Sequence, residues 1–368
     1  MPQVKGFPET LAEQVLDDAL GSGAAVPVLA ISGLQGSGKS TLATQVVARA
    51  QARGLNAATL SIDDVYLTRA QRQRLARQVH PLLITRGPPG THDLPLAHAV
   101  LDAVAARQPF AMPRFDKLAD ERLPEAQWPR LQQPLDLLVF EGWFLGTPAQ
   151  DDIALDSPLN ALEREADADG RWRRWCNQAL AHDYTALWQR CDRLWFLQPP
   201  DFSVVPRWRW QQEQNLQAAQ PGRHGMSRPQ LERFVQYYER VSRQALHTLP
   251  AIADHVVVLD GQRQVQDVRC ARLFHQEGHP QVDPPLGDLA AAIGDHLGLV
   301  HPGALDALDR LGDLLQPAAH GVLHAFRRGG GDFDDLGDRH GLYSGWRGRP
   351  RRNTYPDVKD VKARARRC

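Results

Sequence analysis

The chain has 368 residues, 42% hydrophobic and 23% charged, with 43 basic side chains set against 43 acidic ones. That is the composition of a globular protein with one large or two ordinary domains, long enough to bury a core. A formal net charge of zero gives no case for a nucleic-acid or membrane partner, and no apolar run approaches a membrane span, so a cytoplasmic location is expected.

In chain order, Leu11, Val15 and Leu20 stand near helical spacing and predict a short helix over 7–20, within an N-terminal segment 1–24. Brief apolar runs at 26–32, 56–61, 135–140, 193–197 and 255–259 predict strands. Helical stretches separate them at 39–52, 68–78, 94–107, 172–189 and 229–249. Short continuous strands alternating with helices imply an α/β domain over 25–268, with a mostly parallel sheet covered on both faces. Ligands of such sheets lie beyond the carboxyl ends of the strands. From about residue 269 the composition changes. Arg327-Arg328-Gly329-Gly330-Gly331 and a second arginine-rich run at 347–352 flank scattered aspartates. Residues 269–368 are expected to be an extension, helical over 286–315 and otherwise a disordered basic tail.

Basic character rests on arginine. Only five lysines occur, at positions 5, 39, 117, 359 and 362. Lys39 and Lys117 both fall inside motifs, which is informative because arginine does not replace lysine as a compact charge. Cys176, Cys191, Cys270 and Cys368 have neither C-x-x-C nor metal-ligand spacing and read as reduced thiols.

The first predicted strand runs into Gly33-Leu34-Gln35-Gly36-Ser37-Gly38-Lys39-Ser40, a complete G-x-x-x-x-G-K-[ST] loop followed by a helix-compatible stretch. Backbone N–H groups of such a loop cradle polyphosphate, and the helix N-terminus adds its dipole. Lys39 reaches the β- and γ-phosphates and Ser40 holds Mg²⁺. These residues, with Thr41, form the expected nucleotide cradle.

Asp63 and Asp64 follow the second strand in Ser61-Ile62-Asp63-Asp64-Val65-Tyr66. Carboxylates so placed ligate metal, accept the proton of an attacking hydroxyl, or cap the next helix. The third strand ends in Glu141-Gly142, where a Walker-B carboxylate bound to Mg²⁺ belongs. Between them, Arg86-Gly87-Pro88-Pro89-Gly90-Thr91-His92-Asp93 is a rigid, turn-rich loop that presents polar heads in set directions. Asp93 serves equally well as a helix cap. Met112-Pro113-Arg114-Phe115-Asp116-Lys117 adds two cations, and arginine suits bidentate carboxylate recognition.

Asp64, Tyr66, Arg86, Thr91, His92, Asp93, Arg114 and Lys117 are the expected acceptor side, which predicts a small anionic substrate. Pro206-Arg207-Trp208-Arg209-Trp210 opens a polar helical stretch, read as a lid whose Arg207 and Arg209 close over the phosphates. Exposed Trp–Arg stacking is the alternative. Phe234, Tyr237, Tyr238, Val241 and Leu246 share a helical face and are read as core.

Together these motifs resemble the plant- and fungal-type D-glycerate 3-kinases, a branch of P-loop kinases akin to phosphoribulokinase, uridine kinase and pantothenate kinase. The likeness rests on residues 33–40, Ser61-Ile62-Asp63-Asp64-Val65-Tyr66-Leu67-Thr68, residues 86–93, Pro113-Arg114-Phe115-Asp116-Lys117, Phe140-Glu141-Gly142-Trp143-Phe144-Leu145-Gly146 and Gly225-Met226-Ser227. It covers about residues 25–265. Val65 and Phe115 stand where that family usually carries Phe and Tyr. The resemblance implies a P-loop three-layer α/β sandwich with a helical lid. It implies Mg²⁺-dependent transfer of the ATP γ-phosphate to a hydroxyl of D-glycerate, giving 3-phosphoglycerate. It also implies Asp63 as catalytic base, Lys39 and Ser40 at the nucleotide and metal, and Glu141 as the Walker-B carboxylate. The residues leave two alternatives open: a kinase of another small acceptor, such as pantothenate, a nucleoside or a sugar phosphate, and an ATP-binding regulatory module.

Overall fold

The structure, a computed structural model, describes residues 6–219 and 225–270. The expected helix over 286–315 and the basic tail lie outside the described residues.

The elements run α1 (Glu9–Leu20), β1 (Val28–Gly33), α2 (Lys39–Ala52), β2 (Ala57–Ser61), α3 (Arg69–Gln78), α4 (Leu94–Ala105) and the short strands β3 (Phe110–Ala111), β4 (Phe115–Asp116), β5 (Glu121–Arg122) and β6 (Arg130–Leu131). There follow β7 (Leu137–Gly142), α5 (Ala161–Ala166), α6 (Arg171–His182), α7 (Thr185–Trp188), β8 (Arg193–Gln198), α8 (Val204–Ala219), α9 (Arg228–Ile252), β9 (His255–Leu259) and β10 (Val265–Cys270).

One sheet carries the fold, in the order β10-β9-β8-β1-β7-β2. Every pairing in it is parallel except that of β10 on β9. Every residue of β1 and of β7 is buried, as continuous apolar strands in the middle of a covered parallel sheet must be.

Alternation sends Leu29 and Ile31 to one face and Val28 and Ala30 to the other, so each strand contributes to two cores. On the first face Leu29, Ile31, Val139, Trp195 and Val257 pack with Leu11 and Val15 of α1 and Leu42 and Val46 of α2. On the second, Ala30, Leu60, Leu138 and Phe140 meet Val100 and Leu101 of α4, Leu187 of α7 and Tyr238 of α9. Helix, sheet and helix make three layers, as expected of the α/β sandwich.

The predicted 172–189 helix is interrupted between α6 and α7. Tyr184 at the break is fully buried, and its hydroxyl accepts from Gly90 N–H at 2.8 Å. There Tyr184 N–H reaches back five residues to Ala179 O at 3.4 Å, so the four-residue hydrogen-bond ladder of a continuous α-helix is broken. β10 was not predicted; half of its residues are polar, and it pairs with the open edge that β9 offers. Among the described cysteines, Cys176 and Cys191 are unbridged thiols, and burial raises the pKa of Cys191 to about 12.

Candidate active site

Sheet register decides what meets at the carboxyl edge. Glu141 on β7 lies opposite Ile31 of β1 and opposite Ser61 of β2. The phosphate loop leaving β1, the Asp63 turn leaving β2 and Glu141 itself therefore converge. A cleft of about 1010 Å³ opens there, lined by Gly36, Lys39, Ser40, Asp63, Tyr66, Arg86, Lys117, Glu141, Trp143 and Arg209, among others.

The phosphate loop needs its glycines. Gly36 has φ +83° and Gly38 φ +97°, in the left-handed region that side chains disfavour. Lys39 begins α2 directly after Gly38. Burial pulls its ammonium pKa down, while Glu141 and Asp63 push it back up. Leu34 turns its side chain into the core, and Thr41 is exposed on α2.

Ser61 Oγ accepts the Asp63 N–H at 3.3 Å and shapes the turn after β2. Asp63 then takes hydrogen bonds from the Tyr66 hydroxyl at 2.6 Å and from Lys117 Nζ at 2.5 Å. Burial opposes charge on Asp63, but the Lys117 ammonium, the two hydrogen bonds and Lys39 outweigh it, holding the carboxyl well below the usual range. Asp63 is thus an anion presented to the cleft. Asp64 turns the other way, pairing with Arg114 at 3.1 Å and accepting from Phe115 N–H at 3.3 Å.

Ser40 Oγ donates to Glu141 Oε1 at 3.1 Å. Glu141 Oε2 is buried and has no hydrogen-bond partner among the described residues. Two adjacent hard oxygen donors, one with an unused buried lone pair, fit a hard dication such as Mg²⁺. Ser37 Oγ and Arg209 Nε are also buried without partners among the described residues. Each such atom costs about 1–3 kcal/mol unless a ligand satisfies it.

Several expected acceptor contacts stand elsewhere. Thr91, His92, Asp93, Asp64 and Arg114 do not line the cleft; they brace the segment behind it. Leu67 N–H donates to Thr91 O at 2.9 Å and Asp93 N–H to Val65 O at 2.7 Å, while Thr91 Oγ1 closes its own loop onto Pro88 O at 2.7 Å. Asp93 caps α4 through Leu96 N–H and pairs with Arg122 at 2.7 Å. His92 is buried, with Nδ1 2.6 Å from the Tyr184 hydroxyl. A loop dense in Pro and Gly uses its polar groups to satisfy its own backbone, because that backbone runs beside the core.

Arg86 does reach the cleft, already paired with Asp120 and lying over the Phe115 ring at 5.5 Å. Arg207 does not. Its guanidinium donates to Gly261 O at 2.7 Å on the opposite side of α8 from Arg209, since residues two apart on a helix point in different directions.

Phe234 and Tyr238, read as core, also line the cleft, and Tyr238 donates to Arg86 O at 2.9 Å. Trp143 lies there too. An aromatic stripe gives no sign of its own that one edge borders a cavity.

Burial lowers the His92 pKa to about 3, whereas an unfolded histidine titrates near 6.5. The unfolded state therefore binds more protons between about pH 3 and 6.5, and stability falls as pH falls through that window. At pH 5 the loss from this one group is about 2 kcal/mol. His92→Gln is expected to flatten the fall in urea midpoint between pH 7 and 5. An unchanged slope in the variant refutes His92 as its source.

A phosphate loop feeding a helix, with a carboxylate pair and cations at the edge of a parallel sheet, defines a P-loop nucleotide-binding protein. No family model matches the sequence. The chain is 33% identical over 226 residues to an uncharacterized kinase, mug58, of Schizosaccharomyces pombe, covering 57% of this chain and 78% of that one. It is 32% identical over 239 residues to the chloroplastic D-glycerate 3-kinase of Arabidopsis thaliana, covering 61% of this chain but only 48% of that protein. The structure of a D-glycerate 3-kinase from Cryptococcus neoformans superposes with a TM-score of 0.58 at 26% identity, covering 71% of this chain and 98% of that one. The chain belongs to the P-loop kinase family that includes the D-glycerate 3-kinases. Among the described residues no helix is long and apolar enough to cross a membrane.

Proposed function

We propose that the chain transfers the γ-phosphate of ATP to a hydroxyl of D-glycerate, giving 3-phosphoglycerate. The observation that carries this reading is the anionic Asp63 at a cleft that Lys117, in direct contact with it, and Arg86 also line. A base beside two cations suits an acceptor with both a hydroxyl and a carboxylate. The D-glycerate 3-kinases among the relatives point to the same acceptor.

Phosphoryl transfer asks the protein mainly for positioning and charge stabilisation. The backbone of residues 33–40 cradles the phosphates. Lys39 and Arg209 face the γ-phosphate and take up the charge that develops on its oxygens. Asp63 accepts the hydroxyl proton as the oxygen attacks in line, with Tyr66 holding the carboxylate's orientation. Lys117 and Arg86 hold the acceptor carboxylate. Ser40 and Glu141 would hold Mg²⁺, which would supply positive charge against the negative charge that develops on the phosphate oxygens.

An acceptor screen tests the substrate. With Mg-ATP, D-glycerate is expected to raise ADP release many-fold over the acceptor-free rate, and pantothenate, nucleosides and sugar phosphates far less. Acceleration by one of those, with none by glycerate, sinks the assignment while leaving the kinase chemistry intact.

A further inference from the structure

The turn joining β9 to β10 does more than close a hairpin. Asp260 Oδ1 accepts the N–H groups of Gln262 and Gln264, both at 2.8 Å, and so holds the turn shut. Arg263 sits in it at φ +67°, a backbone conformation uncommon for a residue with a side chain. From there the guanidinium reaches back over the phosphate loop. Nε donates to Gly36 O at 2.6 Å, Nη1 to Gln211 Oε1 at 2.8 Å and Nη2 to Trp208 O at 3.3 Å. Its plane lies over the Trp208 indole, 4.9 Å from the ring centroid.

Trp208 is itself wedged in place. Its indole N–H donates to Gly261 O at 2.9 Å. A Cβ on Gly36 would come within 2.8 Å of Trp208 Cβ, so the phosphate loop and α8 touch backbone to side chain at that point. The early part of α8 is therefore latched to the loop and the hairpin together. Arg209 lies within the latched part and lines the cleft beside Lys39.

We infer that Arg263 is a positioning residue for phosphate binding. It fixes the Gly36 carbonyl and holds α8 at one register, so that Arg209 already stands at the phosphates instead of swinging in with a lid. This role rests on Lys39 and Arg209 facing the phosphates, as proposed above, and it holds for any acceptor.

The test uses the full chain carrying Arg263→Met, Arg263→Lys or Gln211→Ala. ATP dissociation constants are read by calorimetry without acceptor, so they remain informative even where glycerate proves not to be the substrate. Arg263→Met is expected to weaken ATP about tenfold, the scale of one lost charge-assisted contact. The acceptor KM should stay close to wild type, and the thermal midpoint should fall by about a few degrees as the three hydrogen bonds are lost. Arg263→Lys should recover part of the affinity, because an ammonium reaches Gly36 O but does not span to Gln211 and Trp208 as well. Gln211→Ala should change it less than threefold, about half of one ordinary hydrogen bond in the exponent. Unchanged ATP affinity in Arg263→Met, or a lowered thermal midpoint with affinity intact, overturns the inference. Should the Met variant not fold, wild-type ATP affinity in Arg263→Lys overturns it equally.

Discussion

Asp63→Asn is expected to bind ATP within a few-fold of wild type and to transfer phosphate about 10²–10⁴ times more slowly, the usual contribution of a positioned general base. The substitution isolates the proton acceptor. Asparagine keeps an oxygen for the Tyr66 hydroxyl, which donates to Asp63 at 2.6 Å, and it preserves the shape of the turn that Ser61 caps. What disappears is the negative charge that Lys117 and Lys39 hold on the carboxylate. Stability should change little. The Lys117 side chain is 59% exposed and regains water when its partner is neutralised, so about 1 kcal/mol or less is at stake. A coupled ADP assay and calorimetric ATP titration measure the two halves separately. Turnover within tenfold of wild type removes Asp63 as the base.

Lys39→Met should lower kcat by about 10²–10³, the scale of losing one preorganised charge at the developing oxyanions, and should weaken ATP as well. Lys39 lies between the loop and two carboxylates, Glu141 and Asp63, each of which acts to keep it charged. Its removal leaves those carboxylates facing each other with less compensation, so the Asp63 pKa rises. The acid limb of the pH–rate profile should then move upward in the variant. Lys39→Arg should not restore activity, because the planar guanidinium does not fit the space of a compact ammonium. Near-wild-type rates in Lys39→Met would mean that the loop cradles phosphate through its backbone alone, and in Lys39→Arg that a guanidinium can take the ammonium's place.

How much of the site was legible beforehand depends on distance along the chain. The phosphate loop was readable in full, since its function follows from eight consecutive residues whose backbone geometry is local. The five parallel strands β1, β2, β7, β8 and β9 were readable to within two residues, because apolar runs in a covered sheet carry their signal internally; the short β3 to β6 and the edge strand β10 were not. The acceptor side was legible only in part. Of eight residues expected there, Tyr66, Arg86 and Lys117 line the cleft, while Asp64, Thr91, His92, Asp93 and Arg114 brace the segments behind it. Adjacent Asp63 and Asp64 illustrate the difficulty. They have the same chemistry, and only the turn after β2 sends one to Lys117 and the other to Arg114.

By itself, the sequence determined that this chain has a nucleotide-binding α/β domain, with a phosphate loop and carboxylates after neighbouring strands. Periodicity and motif spacing are properties of contiguous residues, and each element announces itself. Which side chains meet in the cleft was decided by the tertiary structure alone. The Asp63–Lys117 contact spans 54 residues and the Gly36–Arg263 contact spans 227. Those meetings depend on sheet order and register: β7 seats Glu141 between the ends of β1 and β2, and the β9–β10 turn comes back over the phosphate loop. No local pattern encodes such pairings, because the free energy that selects them comes from burying both faces of the whole sheet at once.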